Sequence, residues 1–238
     1  SSVMCNLLDL KKYDDYTYFH SINVAVLSAM IGVAMKMDFE ELKALTTSAM
    51  LHDVGKRFIP IEILGAKRAL TPEERMVIQE HPRQGCEFLK EHYHYSDHIY
   101  EGVMGHHEWY DGTGYPKGIA RDEISLFGKI IKLVDVYDAL TSKRPYHEAQ
   151  TPSDAVEYLM AMNGIEFDPE VLLVFLRKVA VYPLGCMVEL SNGQQGIIVE
   201  NFGNFVLRPK VKLLKDGTIV DLRDDKNARS VTIIKMVM

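Results

Sequence analysis

The sequence has few cysteines, and they lie far apart. Cys5, Cys86 and Cys186 are the three among 238 residues. An odd number at such spacing fits neither the framework of a small disulfide-rich protein nor a Cys-x-x-Cys zinc site. We expect all three thiols to be reduced and structural.

Long apolar runs are also missing. No continuous apolar run approaches the roughly 20 residues that span a bilayer, and the first residues lack the basic-then-apolar order of a signal peptide. The sequence therefore predicts a chain with no membrane segment and a cytoplasmic location.

An excess of basic residues is absent as well. Lys and Arg number 27 against 33 Asp and Glu, which gives a formal net charge of −6. A DNA-binding surface needs clustered Lys and Arg, so this charge argues against DNA as a partner. An anionic substrate would need a locally positive pocket, and bound metal ions can supply that charge.

The first part of the chain has the apolar spacing and the capping residues of helices. Asp38 is a suitable cap for the second helix, and Thr71-Pro72 with Glu74 opens a third helix that should carry His81. Predicted helices cover 18–37, 38–52, 71 onward, 95–108 and 126–141, and two more open at Thr151-Pro152 and Asp168-Pro169.

After Tyr182-Pro183 the pattern changes to short runs typical of strands. They cover 187–190, 196–199, 205–212 and 218–222, with turn signals at Asn192-Gly193 and Asp216-Gly217. The sequence predicts a mainly α protein with a helical domain at 1–182 and a small β-barrel or sheet subdomain at 183–238.

His52-Asp53 stands at the predicted end of the second helix, directly before Val54-Gly55-Lys56. An imidazole nitrogen and a carboxylate suit zinc, iron or manganese, and the two oxygens of a carboxylate can bridge two ions. Taken alone, such a pair is more often a helix end beside a surface charge.

Five further groups favour a metal site over this simpler interpretation. They are His20, His81, the pair His106-His107, and Asp135 after a largely apolar run. A buried aspartate is costly unless it is paired or coordinates a metal. Metal coordination explains all seven groups at once, whereas core packing does not.

The order of these groups resembles the HD superfamily of phosphohydrolases: a helix histidine, His-Asp, a histidine, His-His, and a downstream aspartate. The stretch from His106-His107-Glu108 to Gly114-Tyr115-Pro116 resembles the longer signature of the HD-GYP subgroup. Flanking pieces also fit, namely Asp15-Tyr16-Thr17-Tyr18, Asp135-Val136-Tyr137-Asp138 and Arg144-Pro145-Tyr146. The resemblance covers about 14–146.

This resemblance implies an HD-type helical bundle with two divalent metal ions. One ion would be held by His20, His52, Asp53 and Asp135, and the other by Asp53, His81, His106 and His107, with Asp53 and a hydroxide as bridges. Iron or manganese is favoured, and zinc or nickel stays open because such donors accept all four. Two ions activate the bridging water and clamp a phosphodiester.

The resemblance further implies hydrolysis of cyclic di-GMP in bacterial second-messenger signalling, to linear pGpG and with GMP as a further product left open. Asp53 and Lys56 would act in catalysis, Lys56 by meeting a phosphate oxygen. Tyr115 would offer its ring to a guanine, with Trp109 either doing the same or packing. Arg144 would contact phosphate or guanine, or else pair with a surface carboxylate. The Gly114-Tyr115-Pro116 loop would also serve a regulatory or diguanylate cyclase-type partner.

Two positions depart from the family pattern. Some members place a metal-binding glutamate where this chain has Tyr16, a poor ligand, so two ions rather than three are predicted. A substrate lysine of such enzymes is replaced by His147, so we expect the substrate affinity or its pH dependence to differ from theirs. Asp138, one turn after Asp135, would either orient a ligand or bond the Gly114 loop.

Three other functions remain open at this point. Two metals do not select a base, so another cyclic dinucleotide or a mononucleotide could be the substrate. The chain could be a catalytically weak domain that binds nucleotide or a partner and signals by conformation. Di-iron oxygen chemistry also occurs in the HD superfamily.

Overall fold

The structure is a computed structural model that describes residues 15–142, 149–223, 228 and 230–237, with the backbone alone at 15 and 16. The chain divides into two compact units. The described residues of 1–150 and 158–172 form the first, and those of 151–157 and 173–238 form the second. The predicted domain boundary between 182 and 183 stays a prediction.

The helices run as follows: α1 Asp15–Ala34, α2 Phe39–Leu51, α3 Ile61–Leu64, α4 Pro72–Gln79, α5 His81–His92, α6 Asp97–Gly105, α7 Leu126–Thr141, α8 Pro152–Ala161 and α9 Pro169–Leu176, with 3₁₀ helices at Val54–Phe58 and Arg121–Glu123. In the first unit α1 packs against α2 and α7, and α6 packs against α2, α5 and α7. The predicted helical bundle is therefore present.

Local capping explains where two of these helices begin. Asp38 accepts a hydrogen bond from the backbone N–H of Glu41, whose carboxylate in turn accepts from the N–H of Asp38. Thr71 and Glu74 form the same reciprocal pair at α4. Such capping boxes satisfy backbone donors that have no partner inside the helix. Both predicted caps are confirmed.

The third predicted helix is wrong in its extent. It was expected to run from Thr71-Pro72 through His81, but α4 ends at Gln79 and α5 begins at His81. Pro82 cannot continue a helix from upstream, yet it is well tolerated in a first turn. His81 consequently lies at the start of a separate helix, α5.

Helix α1 is long and apolar enough, over Thr17–Ala34, to cross a membrane by length and composition alone. The stretch contains no long continuous apolar run, because polar but uncharged residues such as Ser21 and Ser28 interrupt it. Both serines are fully buried, and 44% of the stretch is buried inside the protein. The core helix of a globular protein passes the same test, so this is weak evidence for a membrane span.

The second unit contains an antiparallel sheet of strands β1 Met187–Leu190, β2 Gln195–Glu200, β3 Lys210–Leu213, β4 Ile219–Asp221 and β5 Ile233–Val237, in the order β4-β3-β2-β1-β5. Strands β4 and β5 stand at opposite edges, and no pairing joins them among the described strands. A barrel requires every strand to pair on both sides. The barrel alternative is therefore wrong, and the sheet alternative is confirmed.

Two strand predictions also need correction. The strand expected at 205–212 begins only at Lys210, because Phe205 and Arg208 close turns on Phe202 and Phe205, and Pro209 has no N–H to donate. Strand β5 was not predicted. Its apolar residues are nearly continuous and lack the period of two that marks a half-buried strand.

Candidate metal centre

The seven candidate ligands lie on five segments of the first unit. His20 comes from α1, His52-Asp53 from the end of α2, His81 from the start of α5, His106-His107 from the end of α6, and Asp135 from α7. Six of the side chains are buried, and His107 is partly exposed. The structure thus brings together all seven groups that the sequence singled out.

Two glycines allow the segment after Asp53 to lie against the first turn of α5. A Cβ on Gly55 would sit 1.9 Å from the backbone oxygen of His81, and one on Gly85 would sit 2.9 Å from the nitrogen of Gly55. No side chain fits at that distance. The close approach leaves Asp53 Oδ1 only 3.2 Å from His81 Nε2.

Three of the histidine rings are oriented by their own chain. The Nδ1 atoms of His52, His81 and His106 lie 2.6, 2.8 and 2.7 Å from the carbonyl oxygens three residues earlier. A carbonyl oxygen accepts and does not donate, so Nδ1 carries the proton in each ring. Each Nε2 lone pair therefore points into the cluster, as a metal ligand requires.

Two of these Nε2 lone pairs face each other with no proton between them. His81 Nε2 and His106 Nε2 are 3.1 Å apart. Burial holds the pKa of His106 well below its usual range, so its ring is neutral. His52 Nε2 and Asp53 Oδ1 are buried and have no hydrogen-bond partner among the described residues. Acceptors that converge in this way can bind a cation, and the donor set fits a divalent metal.

The ligand atoms fall into two groups, each within 4.8 Å: Asp53, His81, His106 and His107 form one, and His20, His52 and Asp135 the other. Asp53 also lies next to the second group, because its Oδ2 is 3.4 Å from His52 Nε2 while Oδ1 faces His81. This placement suits a carboxylate that bridges two ions. The assignment of each ligand stays a prediction.

His20 lies between two carboxylates of α7. Its Nε2 is 2.9 Å from Asp135 Oδ1, and its Nδ1 is 2.7 Å from Asp138 Oδ2. Burial alone would lower the pKa of His20, but the bonds to Asp135 and Asp138 raise it to about 9. Asp138 therefore contacts a candidate ligand, the first of the two alternatives that its position left open.

Lys56 stands at the edge of the cluster with its Nζ 2.5 Å from Asp53 Oδ2 and its side chain one-quarter exposed. Burial would raise the pKa of Asp53, but the positive charge of Lys56, together with the neighbouring His52 ring, holds that pKa well below its usual range. Asp53 is ionised, and the Lys56 side chain beside it is partly exposed to solvent.

The Gly114-Tyr115-Pro116 loop lies against His107. The ring of Tyr115 stacks on that of His107 with centroids 4.7 Å apart and planes at 27°, and the Tyr115 N–H donates to the His107 carbonyl at 3.1 Å. The Tyr115–Pro116 peptide bond is cis. A Cβ on Gly114 would sit 2.2 Å from the Trp109 nitrogen, so only glycine fits there.

Two structural groups around this loop escaped the sequence reasoning. The carboxylate of Glu108, which is 1% exposed, accepts the backbone N–H groups of Lys117 at 2.7 Å and Ile119 at 3.2 Å. Lys132 Nζ lies 2.6 Å from Glu166 Oε1 and 5.6 Å from the Trp109 ring. Glu108 directly follows His106-His107 and could have been singled out there, but no local pattern pairs Lys132 with Glu166.

The remaining sequence candidates lie elsewhere or cannot be placed. Arg144, His147 and the side chain of Tyr16 fall outside the described residues. His92, His94 and His98 are exposed and do not belong to either ligand group.

Comparison with known proteins places these features in a family. The sequence matches the HD domain family over residues 3–171. It is 36% identical over 214 residues to cyclic di-GMP phosphodiesterase PA4108 of Pseudomonas aeruginosa, covering 89% of this chain and 51% of that protein. It is 34% identical over 158 residues to 3'3'-cGAMP-specific phosphodiesterase 2 of Vibrio cholerae, covering 66% of this chain and 30% of that protein.

Among solved structures, the chain resembles Bd1817, an HDG"Y"P protein from Bdellovibrio bacteriovorus. The TM-score is 0.55 at 20% identity, over 66% of this chain and 50% of that one. Identity at this level supports a shared fold. The chain spans about half the length of the curated relatives it matches.

Proposed function

Because this chain belongs to the HD-domain family and carries the HD-GYP signature at 106–116, we propose that it is a metal-dependent phosphodiesterase that hydrolyses cyclic di-GMP to linear pGpG in bacterial second-messenger signalling. Further hydrolysis to GMP is left open. A cytoplasmic location remains part of this proposal.

One observation carries the proposal: buried acceptor atoms converge with no proton to share. The Nε2 atoms of His81 and His106 face each other, and His52 Nε2 and Asp53 Oδ1 lack partners among the described residues. A fold gains nothing from such an arrangement unless a cation binds there, since each unsatisfied buried group costs about 1–3 kcal/mol.

The two ligand groups would hold two divalent ions, with Asp53 shared between them. Iron or manganese is the pair we favour on the mixture of imidazole and carboxylate donors. When bound, the ions would activate a water molecule as nucleophile and neutralise the phosphodiester oxygens.

The chain's own residues would then bind and orient the substrate. Lys56, whose side chain is partly exposed beside Asp53, would bind a phosphate oxygen. Tyr115, stacked on His107 and held by the Glu108-bound loop, would present its outer ring face to a guanine. Both groups lie beside the cluster, so a phosphodiester that they hold would lie next to the ions.

The choice of cyclic di-GMP rests on the relative with the larger coverage, the Pseudomonas aeruginosa enzyme that carries this substrate in its name. A second candidate is 3'3'-cGAMP, which gives the Vibrio cholerae relative its name. Both are anionic cyclic dinucleotides with a guanine, so the same Lys56 and Tyr115 contacts would serve either.

Turnover across a nucleotide panel tests the proposal. Protein purified anaerobically and loaded with Fe(II) or Mn(II) is incubated with cyclic di-GMP, 3'3'-cGAMP, cyclic di-AMP and bis(p-nitrophenyl) phosphate, and the products are separated by anion exchange. We expect pGpG from cyclic di-GMP at the highest kcat/KM. Cleavage of the generic ester with intact cyclic dinucleotides would overturn the proposal.

Two other outcomes would assign a different role. Stoichiometric binding of cyclic di-GMP without turnover, under reducing and iron-loaded conditions, would identify a nucleotide sensor. Oxygen consumption with an organic substrate would identify di-iron oxidation chemistry. The diguanylate cyclase-type partner of the Gly114-Tyr115-Pro116 loop remains a prediction, to be tested by substituting Tyr115 in a binding assay.

A further inference from the structure

Asp138 is a buried carboxylate outside the predicted ligand set whose two oxygens have different partners. Oδ2 receives His20 Nδ1 at 2.7 Å. Oδ1 accepts the side-chain amide of Asn23 at 2.9 Å and the hydroxyl of Ser142 at 3.1 Å. Asn23 lies one turn after His20 on α1, and Ser142 follows the last residue of α7. The carboxylate is therefore held on one side and orients a ring on the other.

His20 differs from three other histidines of the cluster in the partner of its Nδ1 atom. His52, His81 and His106 bond their Nδ1 protons to carbonyls three residues earlier, and a side-chain substitution does not remove a carbonyl. His20 instead bonds a carboxylate from a different helix. The Nδ1 side of the His20 ring is therefore held by a side chain that a substitution can replace.

A carboxylate also changes the ligand more than a carbonyl does. An Nδ1–H that donates to a charged acceptor forms a stronger bond and makes the opposite nitrogen more electron-rich, hence a better ligand. Asp135 and Asp138 lie one turn apart on α7 and face the two nitrogens of the same ring. Helix α7 therefore supplies both a candidate ligand, Asp135, and the group that orients another candidate ligand, His20.

We propose that Asp138 is a positioning residue for one of two metal ions, such that the ion held by His20, His52 and Asp135 depends on Asp138 while the ion held by His81, His106 and His107 does not. The inference rests on the metal-binding part of the proposed function. If so, the affinities of the two ions can be changed separately, because contacts between α1 and α7 affect only the ion of the His20 group.

Asp138→Asn tests this with little change of shape. Mn(II) and Zn(II) affinities are measured on the full chain by competition with a chromophoric chelator, and metal content by elemental analysis. We expect one ion to lose about 10- to 100-fold in affinity and the other to stay within about twofold. Asn23→Ala should shift the same ion in the same direction by less.

A second readout separates positioning from general destabilisation. In the zinc-loaded wild type, long-range ¹H–¹⁵N NMR should show His20 with its proton on Nδ1, and this signal should weaken or shift in Asp138→Asn while those of His52, His81 and His106 persist. Asp122→Asn is a matched control, because the Asp122 side chain is fully exposed. The control should leave both affinities unchanged.

Two outcomes would overturn the inference: unchanged affinities in Asp138→Asn, or equal weakening of both ions in a variant that retains its amide spectrum. Failure of the proposed function looks different, because two ions would bind the wild type while cyclic dinucleotides stayed intact. A wild type that binds no ion at all would overturn both.

Discussion

The Nε2 atoms of His81 and His106 lie 3.1 Å apart although each ring has its proton committed to a backbone carbonyl through Nδ1. Two lone pairs at this distance repel unless a cation lies near both. Asp53 Oδ1 lies 3.2 Å from the first nitrogen and 3.9 Å from the second. These distances predict which substitutions release which ion.

Substitution Asp53→Ala should cost both metal ions, whereas His81→Ala should chiefly empty one. Asp53 faces both ligand groups with its two oxygens, while His81 contributes to the group that includes His106 and His107. Elemental analysis of protein loaded and then desalted anaerobically gives the ion count per chain.

The control for this experiment is His98→Ala, which removes a histidine whose side chain is 73% exposed and outside the cluster. It should retain the wild-type ion count. Equal metal loss from Asp53→Ala and His81→Ala would contradict a carboxylate shared between two sites.

Gly114→Ala should impair turnover and leave the ions in place. An added Cβ would lie 2.2 Å from the Trp109 nitrogen and 2.5 Å from the His107 carbonyl oxygen, so the loop must move and Tyr115 must leave its stacked position. We expect kcat/KM for cyclic di-GMP to fall at least about tenfold, because small misplacements of binding groups cost rate.

Lys117→Ala is the matched control on the same loop, since the exposed side chain is lost but the N–H that bonds Glu108 remains. Its turnover should stay near that of the wild type. If Gly114→Ala lost metal in proportion to activity, the loop would instead be supporting the ligands.

Glu108→Ala should loosen the segment that follows Tyr115. The carboxylate accepts the N–H groups of Lys117 and Ile119, and hydrogen bonds to charged groups contribute about 1.5–3 kcal/mol each. We expect the opening free energy from hydrogen exchange at the Lys117 amide to fall by about that amount. Glu108→Gln keeps one acceptor oxygen, so its opening free energy at the Lys117 amide should lie between those of the wild type and Glu108→Ala.

An amide far from the loop serves as the internal reference. The Gly128 N–H donates to Ser125 Oγ at the start of α7, and its protection should not change. Loss of protection at Gly128 as well would indicate global destabilisation rather than release of this loop.

The sequence was sufficient to select the seven groups that converge in the structure, because each candidate came from residue type and order within a signature. Four of the seven groups form two pairs of sequence neighbours, His52-Asp53 and His106-His107. Within each pair, identifying one residue also identifies the other. Their convergence could be expected because a buried charge such as Asp135 needs a partner. The capping boxes at Asp38 and Thr71 were likewise local, and local signals predicted these helix starts correctly.

What the sequence could not give were contacts between distant segments. The bond from His20 to Asp138 joins residues 118 positions apart, and Lys132 meets Glu166 across a loop and a helix. No period or motif encodes such pairs. The break before His81 was missed for a related reason, because apolar spacing alone does not show where one helix stops and the next begins.

The buried pair of Lys132 and Glu166 leads to a prediction about stability. Their side chains are 7% and 4% exposed, and the Tyr158 hydroxyl also donates to Glu166 at 2.7 Å. Removing one member of such a pair leaves an uncompensated buried charge, which costs about 3–5 kcal/mol. Glu166→Gln and Lys132→Met should each lower the free energy of unfolding by roughly this much.

The double variant distinguishes an ion pair from two independent effects. Lys132→Met with Glu166→Gln removes both charges while the glutamine still accepts from Tyr158, so the double variant should be more stable than either single one. The exposed pair Lys43 and Glu40, with side chains 64% and 74% exposed, is the control and should show a coupling below about 1 kcal/mol. Denaturant titrations followed by the single tryptophan, Trp109, which lies 5.6 Å from Lys132, report on this unit directly. Additive losses in the double variant would mean that Lys132 and Glu166 do not stabilise the first unit as a pair.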